Sequence, residues 1–301
     1  MVKGSMELID TDRALRVYGA MPPAIEVSGG SAANTAAGVA SFGGSVAFVG
    51  KVADDELGEV FAHDIRAAGV SYEIAALTGA AAAAGTARCL ILVTPDAQRT
   101  MNTYLGVAAS LQPVDIDEAL IASAKVLYIE GYLWDDPGAK AIIRAAIAAA
   151  KQAGTRVAFT LSDGFCVDRH RDEFLQLVAD DVDILFANEV EICSLYETSD
   201  FEAAAQRVSD HVRIACLTRS EHGSVVSTSD GERTSIPAVP ATLVDTTGAG
   251  DLYASGFLAG WTTGQTLFDA ARTGSMAASE VISHLGARPQ ARLSELWEEH
   301  R

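Results

Sequence analysis

From about residue 115 to about residue 285, short apolar runs alternate with stretches of helical periodicity, and this rhythm limits the possible folds more than any other feature of the chain. Apolar runs too short for a helix, separated by helical stretches, build a parallel sheet with crossover helices on its faces. Residues 125–130 (KVLYIE) read as a buried strand. An Ala-rich helix follows over 139–152, with Gly154 just past its end, where a left-handed cap is expected. The next strand is 156–161 (RVAFTL), then a helix at about 171–178. Residues 183–186 (DILF) make a third strand leading straight into a helix over 189–196. A helix over 201–210 precedes a strand over 214–218. The pattern predicts an α/β chain with one doubly wound sheet.

Two stretches depart from that rhythm. Residues 86–94 (TARCLILVT) and 98–105 (QRTMNTYL) flank the turn dipeptide Pro95-Asp96 and read as a hairpin, suited to a small accessory sheet covering a cleft. Residues 225–229 and 233–237 flank Asp230-Gly231, a strong hairpin signal, and are read as an antiparallel edge of the main sheet. The Ala run at 80–84 is a loop or a helix end.

The length of 301 residues suffices to bury a large core, and 49% hydrophobic with 21% charged residues is ordinary for a globular enzyme. A formal net charge of −18 speaks against a nucleic-acid partner. It also means that a phosphate site must use local devices: helix N-termini, individual Lys or Arg side chains, or a divalent metal. Cys89, Cys166, Cys193 and Cys216 show no paired spacing, and Cys89 and Cys216 lie in apolar runs that predict buried free thiols. No apolar stretch has the length needed to span a bilayer and no signal peptide is recognisable, so a cytoplasmic location is expected.

The segment 244–256, VDTTGAGDLYASG, carries the chemistry. A polar, glycine-rich turn precedes a helix containing Leu252, Tyr253, Phe257 and Leu258. Gly248 and Gly250 leave backbone amides unobstructed at a helix start, where N–H groups lack internal partners and the dipole is positive. Negative charge developing on a transferred phosphoryl group would be stabilised there. Asp251 lies one residue further on, in reach of a hydroxyl whose proton it can accept. An aspartate near a helix start is also a common cap, so the segment alone leaves both readings open.

Two weaker constellations accompany it. Residues 27–36 (VSGGSAANTA) pair two glycines with Asn34 at the start of a helix running through Phe42. A buried Asn can fix a hydroxyl-bearing ligand, and paired glycines make a hinge. A tight turn before an Ala-rich helix explains the same residues. In Asn188-Glu189-Val190-Glu191, Asn188 and Glu191 share a helix face and could support a hydrated Mg²⁺. Taken alone, a solvated helix face is the simpler reading.

Together and in chain order, GGSAANTA, NEVE and DTTGAGD resemble the ribokinase-like (PfkB-type) carbohydrate and nucleoside kinase family, over roughly residues 23 to 292. The resemblance implies a single three-layer α/β/α domain over 1–301, with a mostly parallel sheet. A small β-sheet lid would come from segments within 14–30 and 84–108. It implies Mg²⁺ and ATP as donor, and a primary hydroxyl as acceptor. Asp251 then matches the catalytic base, and Gly248, Ala249 and Gly250 the anion hole. Gly29, Gly30 and Asn34 match the acceptor-side glycine switch and sugar contact, and Arg99 is a candidate to reach the transferring phosphate. Asn188 and Glu191 match the family's Asn-x-x-Glu motif. Thr218, Ser220 and Gly223 lie where the family has a nucleotide-side Thr-x-Gly-x-x-Gly loop, with Ser220 replacing its first glycine. Asp245 and Thr247 match positions where many relatives bind a monovalent cation such as K⁺.

GGSAANTA with QRTMNTYLG is closer to adenosine-kinase-like members, which makes adenosine the leading acceptor. A sugar kinase acting on ribose, fructose or a keto-deoxy sugar acid is the alternative, with Arg88 or Arg99 available for an acid group. A reading of another class is a nucleoside- or ATP-binding protein without turnover. The resemblance further implies a strand upstream of Met1 whose Asp holds acceptor hydroxyls. Without that strand the sheet is expected to be one strand short. Asp10 and Asp12 lie downstream of it and do not take its role. The lid hairpin suits either a monomer or a homodimer.

Overall fold

A computed structural model describes residues 3, 5–96 and 98–300. The chain opens with strand β1 (Met6–Leu8), helix α1 (Thr11–Ala20), α2 (Ser31–Ser41) and α3 (Glu56–Ala67), followed by the hairpin β2 (Arg88–Val93) and β3 (Arg99–Tyr104). After α4 (Glu118–Ser123) the alternation begins: β4 (Val126–Glu130), α5 (Pro137–Ala153), β5 (Arg156–Thr160), α6 (Gly164–Asp180), β6 (Ile184–Asn188), α7 (Glu189–Leu195), α8 (Phe201–Ser209) and β7 (Ile214–Thr218). The hairpin β8 (Ser224–Thr228) and β9 (Arg233–Ile236) follows, then α9 (Ala249–Thr262), α10 (Leu267–Val281) and α11 (Leu293–His300).

The main sheet has the order β4-β5-β6-β7-β8-β9, parallel through β7 and antiparallel beyond it. The inner positions of its central strands are apolar because both faces are covered, and polar residues such as Thr160, Asn188 and Thr218 stand at their carboxyl ends. Val157, Phe159, Leu185 and Leu217 point into one core with Trp134, Phe174 and Val208, beneath α5, α6, α7 and α8. Ala158, Ile184, Phe186 and Cys216 point into the other, with Tyr253, Phe257 and Ala270 of α9 and α10. The result is a three-layer α/β/α sandwich. Trp134, Phe159 and Phe174 pack edge to face with ring centres 5.0–6.3 Å apart, and truncating any one would cost about 3–5 kcal/mol.

The acidic composition has a local use. Asp10, Asp55, Asp117, Asp136, Asp163 and Asp200 each cap a helix, accepting a backbone N–H of its first turn.

Three details depart from the sequence reading. The small sheet, order β1-β3-β2, takes its third strand from Met6–Leu8, whereas the expected segment 14–30 holds most of α1 and an irregular stretch. A three-residue strand shows no alternation long enough to detect. Cys89 is exposed, not buried, because β2 is an edge strand and its side chain alternates away from buried Leu90; Cys216 is buried as expected. Helix α6 begins at Gly164, well before the expected start, since His170 has non-helical angles (φ −125°, ψ 19°) that interrupt the periodicity.

Among the described residues, no helix is long and apolar enough to cross a membrane.

Candidate active site

In doubly wound sheets, ligands bind beyond the carboxyl ends of the parallel strands. The sequence-predicted residues gather there from distant parts of the chain. Gly248 is the N-cap of α9 in the left-handed region (φ 83°, ψ −1°). A Cβ at this position would stand 2.8 Å from the Ala287 carbonyl oxygen, so the turn requires glycine. Asp245 braces the same turn: its Oδ1 accepts from Thr247 N (2.9 Å) and Thr247 Oγ1 (2.6 Å), and its Oδ2 from Gly286 N (3.3 Å). Its residue is 4% exposed, so these contacts structure the turn whatever else it binds. A Cβ at Gly250 would meet no heavy atom within 4 Å, which leaves open space beside the first turn of α9.

Asp251 stands in that first turn. Its Oδ1 accepts from Ser31 Oγ (2.7 Å) and its Oδ2 from Asn34 Nδ2 (2.9 Å), both from the start of α2. Thr35 Oγ1 donates to the Asp251 carbonyl at 3.2 Å, fixing the two helices together. Burial raises the Asp251 pKa above the ordinary carboxylate value, and the Asn34 and Ser31 donors and the Arg99 charge oppose that rise. Asn34 is 4% exposed and its Oδ1 has no partner, leaving a buried acceptor beside the carboxylate.

Arg99 reaches from the small sheet to the turn before α9, where its Nη1 donates to Thr246 Oγ1 at 2.8 Å. Gly30, the N-cap of α2, has φ 98° and accepts from Asn34 N at 2.7 Å. Glu130, at the carboxyl end of β4, accepts from Ala32 N at 2.7 Å. Burial pushes its pKa up to about 7; the Ala32 N–H opposes the rise and the Asp251 charge adds to it.

Asn188 and Glu191 form a reciprocal capping box at the start of α7. Asn188 Oδ1 accepts from Glu191 N (2.9 Å), while the Glu191 carboxylate accepts from Asn188 N (2.9 Å) and Asn188 Nδ2 (2.6 Å). Burial moves the Glu191 pKa up to about 7; the Asn188 N–H and the Arg99 charge oppose the rise, while Asp163 and Asp251 add to it. Each Glu191 oxygen keeps a second lone pair for a ligand. Among the described residues no cluster of three or more His, Cys, Asp or Glu side chains could hold a metal by itself. One carboxylate with waters and substrate phosphates still suits Mg²⁺.

Asn188 and Thr218 lie side by side in the β6–β7 register, so the nucleotide-side loop starts next to the capping box. Ser220 adopts φ 50°, the left-handed region in which glycine is favoured. Gly223 (φ 80°) packs against the Ile236 carbonyl, and Arg219 joins the loop to α7 through Glu189 at 2.9 Å.

The structure therefore joins Gly30, Asn34, Asp251 and the 245–250 turn directly. Arg99 reaches that turn through Thr246. The 188–191 and 218–223 segments meet on the adjacent strand ends. Ser31 and Glu130 were missed by sequence reasoning. The available signals were a hydroxyl directly after paired glycines and an acid closing an apolar strand just before a glycine.

This fold and site define an enzyme that transfers a group onto an alcohol. The match of the pfkB family carbohydrate kinase model to residues 20–292 is decisive: the chain belongs to that family and is a phosphotransferase with an alcohol acceptor. Kinases of this family use ATP. The fold superposes with a TM-score of 0.97 on adenosine kinase from Sinorhizobium meliloti, at 50% identity over 100% of this chain and 91% of that one. It matches a Rhizobium etli protein described as a probable sugar kinase equally, with a TM-score of 0.97 and 49% identity over 100% of this chain and 90% of that one. In sequence it is 30% identical to 5-dehydro-2-deoxygluconokinase of Geobacillus thermodenitrificans over 85% of this chain and 78% of that protein.

Proposed function

We propose that the chain is an ATP-dependent adenosine kinase with Asp251 as its general base. The observation that carries the reading is the placement of the Asp251 carboxylate. It lies in the first turn of α9, held by Ser31 and Asn34 beside the turn 248–250, where Gly250 faces open space. The 5′-hydroxyl of the nucleoside gives its proton to Asp251 as its oxygen bonds to the γ-phosphorus. The bond from that phosphorus to the β-bridging oxygen breaks, and ADP leaves with the electron pair. The amides of Gly248, Ala249 and Gly250 stabilise the charge on the equatorial oxygens, and Arg99 adds a cation from the small sheet acting as a lid. Gly29, Gly30 and Asn34 hold the ribose, with the unpartnered Asn34 Oδ1 as an acceptor for one of its hydroxyls.

Thr218, Ser220 and Gly223 line the nucleotide side. Magnesium, when bound with the phosphates, supplies charge neutralisation, and Asn188 and Glu191 would hold its water shell. Asp245 and Thr247 are the positions for a monovalent cation such as K⁺. Similarity at 50% identity to the S. meliloti adenosine kinase supports adenosine as acceptor.

A second reading, a kinase of a keto-deoxy sugar acid, is favoured by the G. thermodenitrificans relative. ADP release measured with adenosine, other nucleosides, ribose, fructose and 5-dehydro-2-deoxygluconate separates them. The proposal expects kcat/KM for adenosine to exceed the others by at least about tenfold. A preference for the sugar acid overturns the acceptor assignment, and ATP binding without turnover on any acceptor overturns the enzymatic reading.

A further inference from the structure

Three consecutive residues between α10 and α11 touch both halves of the site. The Gly286 amide donates to Asp245 Oδ2 at 3.3 Å. The Ala287 backbone packs against Gly248, so closely that a Cβ there would lie 2.9 Å from the Ala287 Cα. Arg288 turns the other way, and its Nη2 donates to the Gly29 carbonyl at 3.4 Å. Its guanidinium carbon sits 5.5 Å from the centre of the Phe61 ring on α3. Burial lowers the Arg288 pKa, with the nearby Asp64 charge opposing that shift. Its Nε is buried and has no partner among the described residues.

The connector is itself anchored. Glu280 Oε1 on α10 accepts from the amides of Gln290 and Ala291, both at 2.9 Å, and Ile282 O accepts from Val244 N at 2.9 Å. Other tethers flank the glycine pair: Ser28 Oγ donates to Asp64 Oδ2 at 2.6 Å, Gly30 O accepts from Asn34 N at 2.7 Å, and Ser31 Oγ donates to Asp251 Oδ1 at 2.7 Å. We propose that Arg288 is a positioning residue that ties the acceptor-side glycines to the phosphate-side turn through Gly286 and Ala287. It thereby sets the separation across which phosphoryl transfer occurs.

The physical need is plain. Reacting atoms must be held about 3–3.5 Å apart, and an error of about 1 Å can cost about a hundredfold in rate. Ser31, Asn34 and Thr35 already bind α2 to Asp251, so Arg288 acts on Gly29 itself, which precedes α2 and whose carbonyl it holds to the connector. A guanidinium suits the task because its planar fork bonds a carbonyl while stacking on an aromatic ring, which an ammonium cannot match.

Arg288→Met keeps the aliphatic stem over Phe61 and removes the donor. Its kcat is expected to fall about 10- to 100-fold with the KM for ATP within about threefold, and Arg288→Lys to fall in between. The deciding readout is amide hydrogen exchange with Mg·ATP alone. In the unmodified chain, ATP should slow exchange at 249–252 and also at 29–34. In Arg288→Met it should slow only 249–252, and that retained protection shows the variant to be folded. Ser28→Ala removes the neighbouring tether to Asp64 and should leave the ATP effect on 29–34 in place. Persistence of that effect in Arg288→Met, or its absence in the unmodified chain, overturns the inference. The inference rests on the kinase reading only for its use of ATP. No heat of ATP binding by titration calorimetry sinks both, whereas ATP binding without protection at 29–34 sinks the connector alone.

Discussion

At the scale of single residues, two carboxylates, Asp251 and Glu130, are held by donors from the start of α2. Asp251 is raised in pKa by burial and kept from rising further by the Asn34 and Ser31 donors and by Arg99. A base must be ionised to act, so the acid limb of kcat/KM against pH is expected above the ordinary aspartate range. Asn34→Ala removes an opposing donor and should move that limb further up; an unmoved limb would show that another group controls it. Asp251→Asn should lower kcat by at least about a thousandfold while leaving ATP affinity within about tenfold, because the base acts in the transition state. Turnover within tenfold of the unmodified chain would mean that the base lies elsewhere.

Glu130 makes a stability prediction. Unfolded, it titrates near 4.5, and folded at about 7. Between those values the native state holds the extra proton, so this group makes stability fall as pH rises from about 4.5 to 7 and level off above. The effect is about 2 kcal/mol, less than the full shift would give, since the side chain keeps some contact with solvent. Urea unfolding at pH 5 and pH 8 should show a smaller difference for Glu130→Gln than for the unmodified chain. Equal differences would remove Glu130 as the source.

At the scale of elements, the loop after β7 carries a local cost that can be measured. Ser220 occupies φ 50°, where an L side chain crowds its own carbonyl. Ser220→Gly should stabilise the fold by about 0.5–1 kcal/mol, the relief of that crowding being partly offset by the freer unfolded chain. A lower unfolding midpoint would show that the serine makes a compensating contact. Helices α9 and α10 pack almost backbone to backbone: a Cβ at Gly256 would lie 2.6 Å from the Thr273 carbonyl, and one at Gly274 equally close to that of Tyr253. Gly256→Ala should therefore cost about 1–3 kcal/mol, and because α9 carries Asp251, kcat should fall as well. Full activity with normal stability would mean that the helices part without moving the site.

At the scale of the molecule, Arg99 of the small sheet is joined directly to Thr246 in the turn that leads into α9. The parallel strands and the hairpin at Asp230-Gly231 were readable because burial on both faces and a short glycine-containing turn leave local marks. The third strand of the small sheet was not, since Met6–Leu8 gains its place by pairing with β3 and its three residues carry no period. Asp251 was readable because the helix start and its glycines are contiguous. Glu130 was not, because an acid after an apolar strand looks the same whether it faces water or the amide of Ala32. Asn188 and Glu191 were recognised as a pair, and the structure shows them bonded to each other as a cap.

The sequence by itself determined the alternation of strands and helices and the glycine-rich turn at a helix start, because periodicity and turn chemistry act over a few residues. Only the tertiary structure decided which donors reach Asp251, what holds Glu130, and how Gly286, Ala287 and Arg288 span the site. The hydrogen-bonded partners lie 41 to 259 residues apart along the chain, and their meeting depends on how the packed layers close on one another.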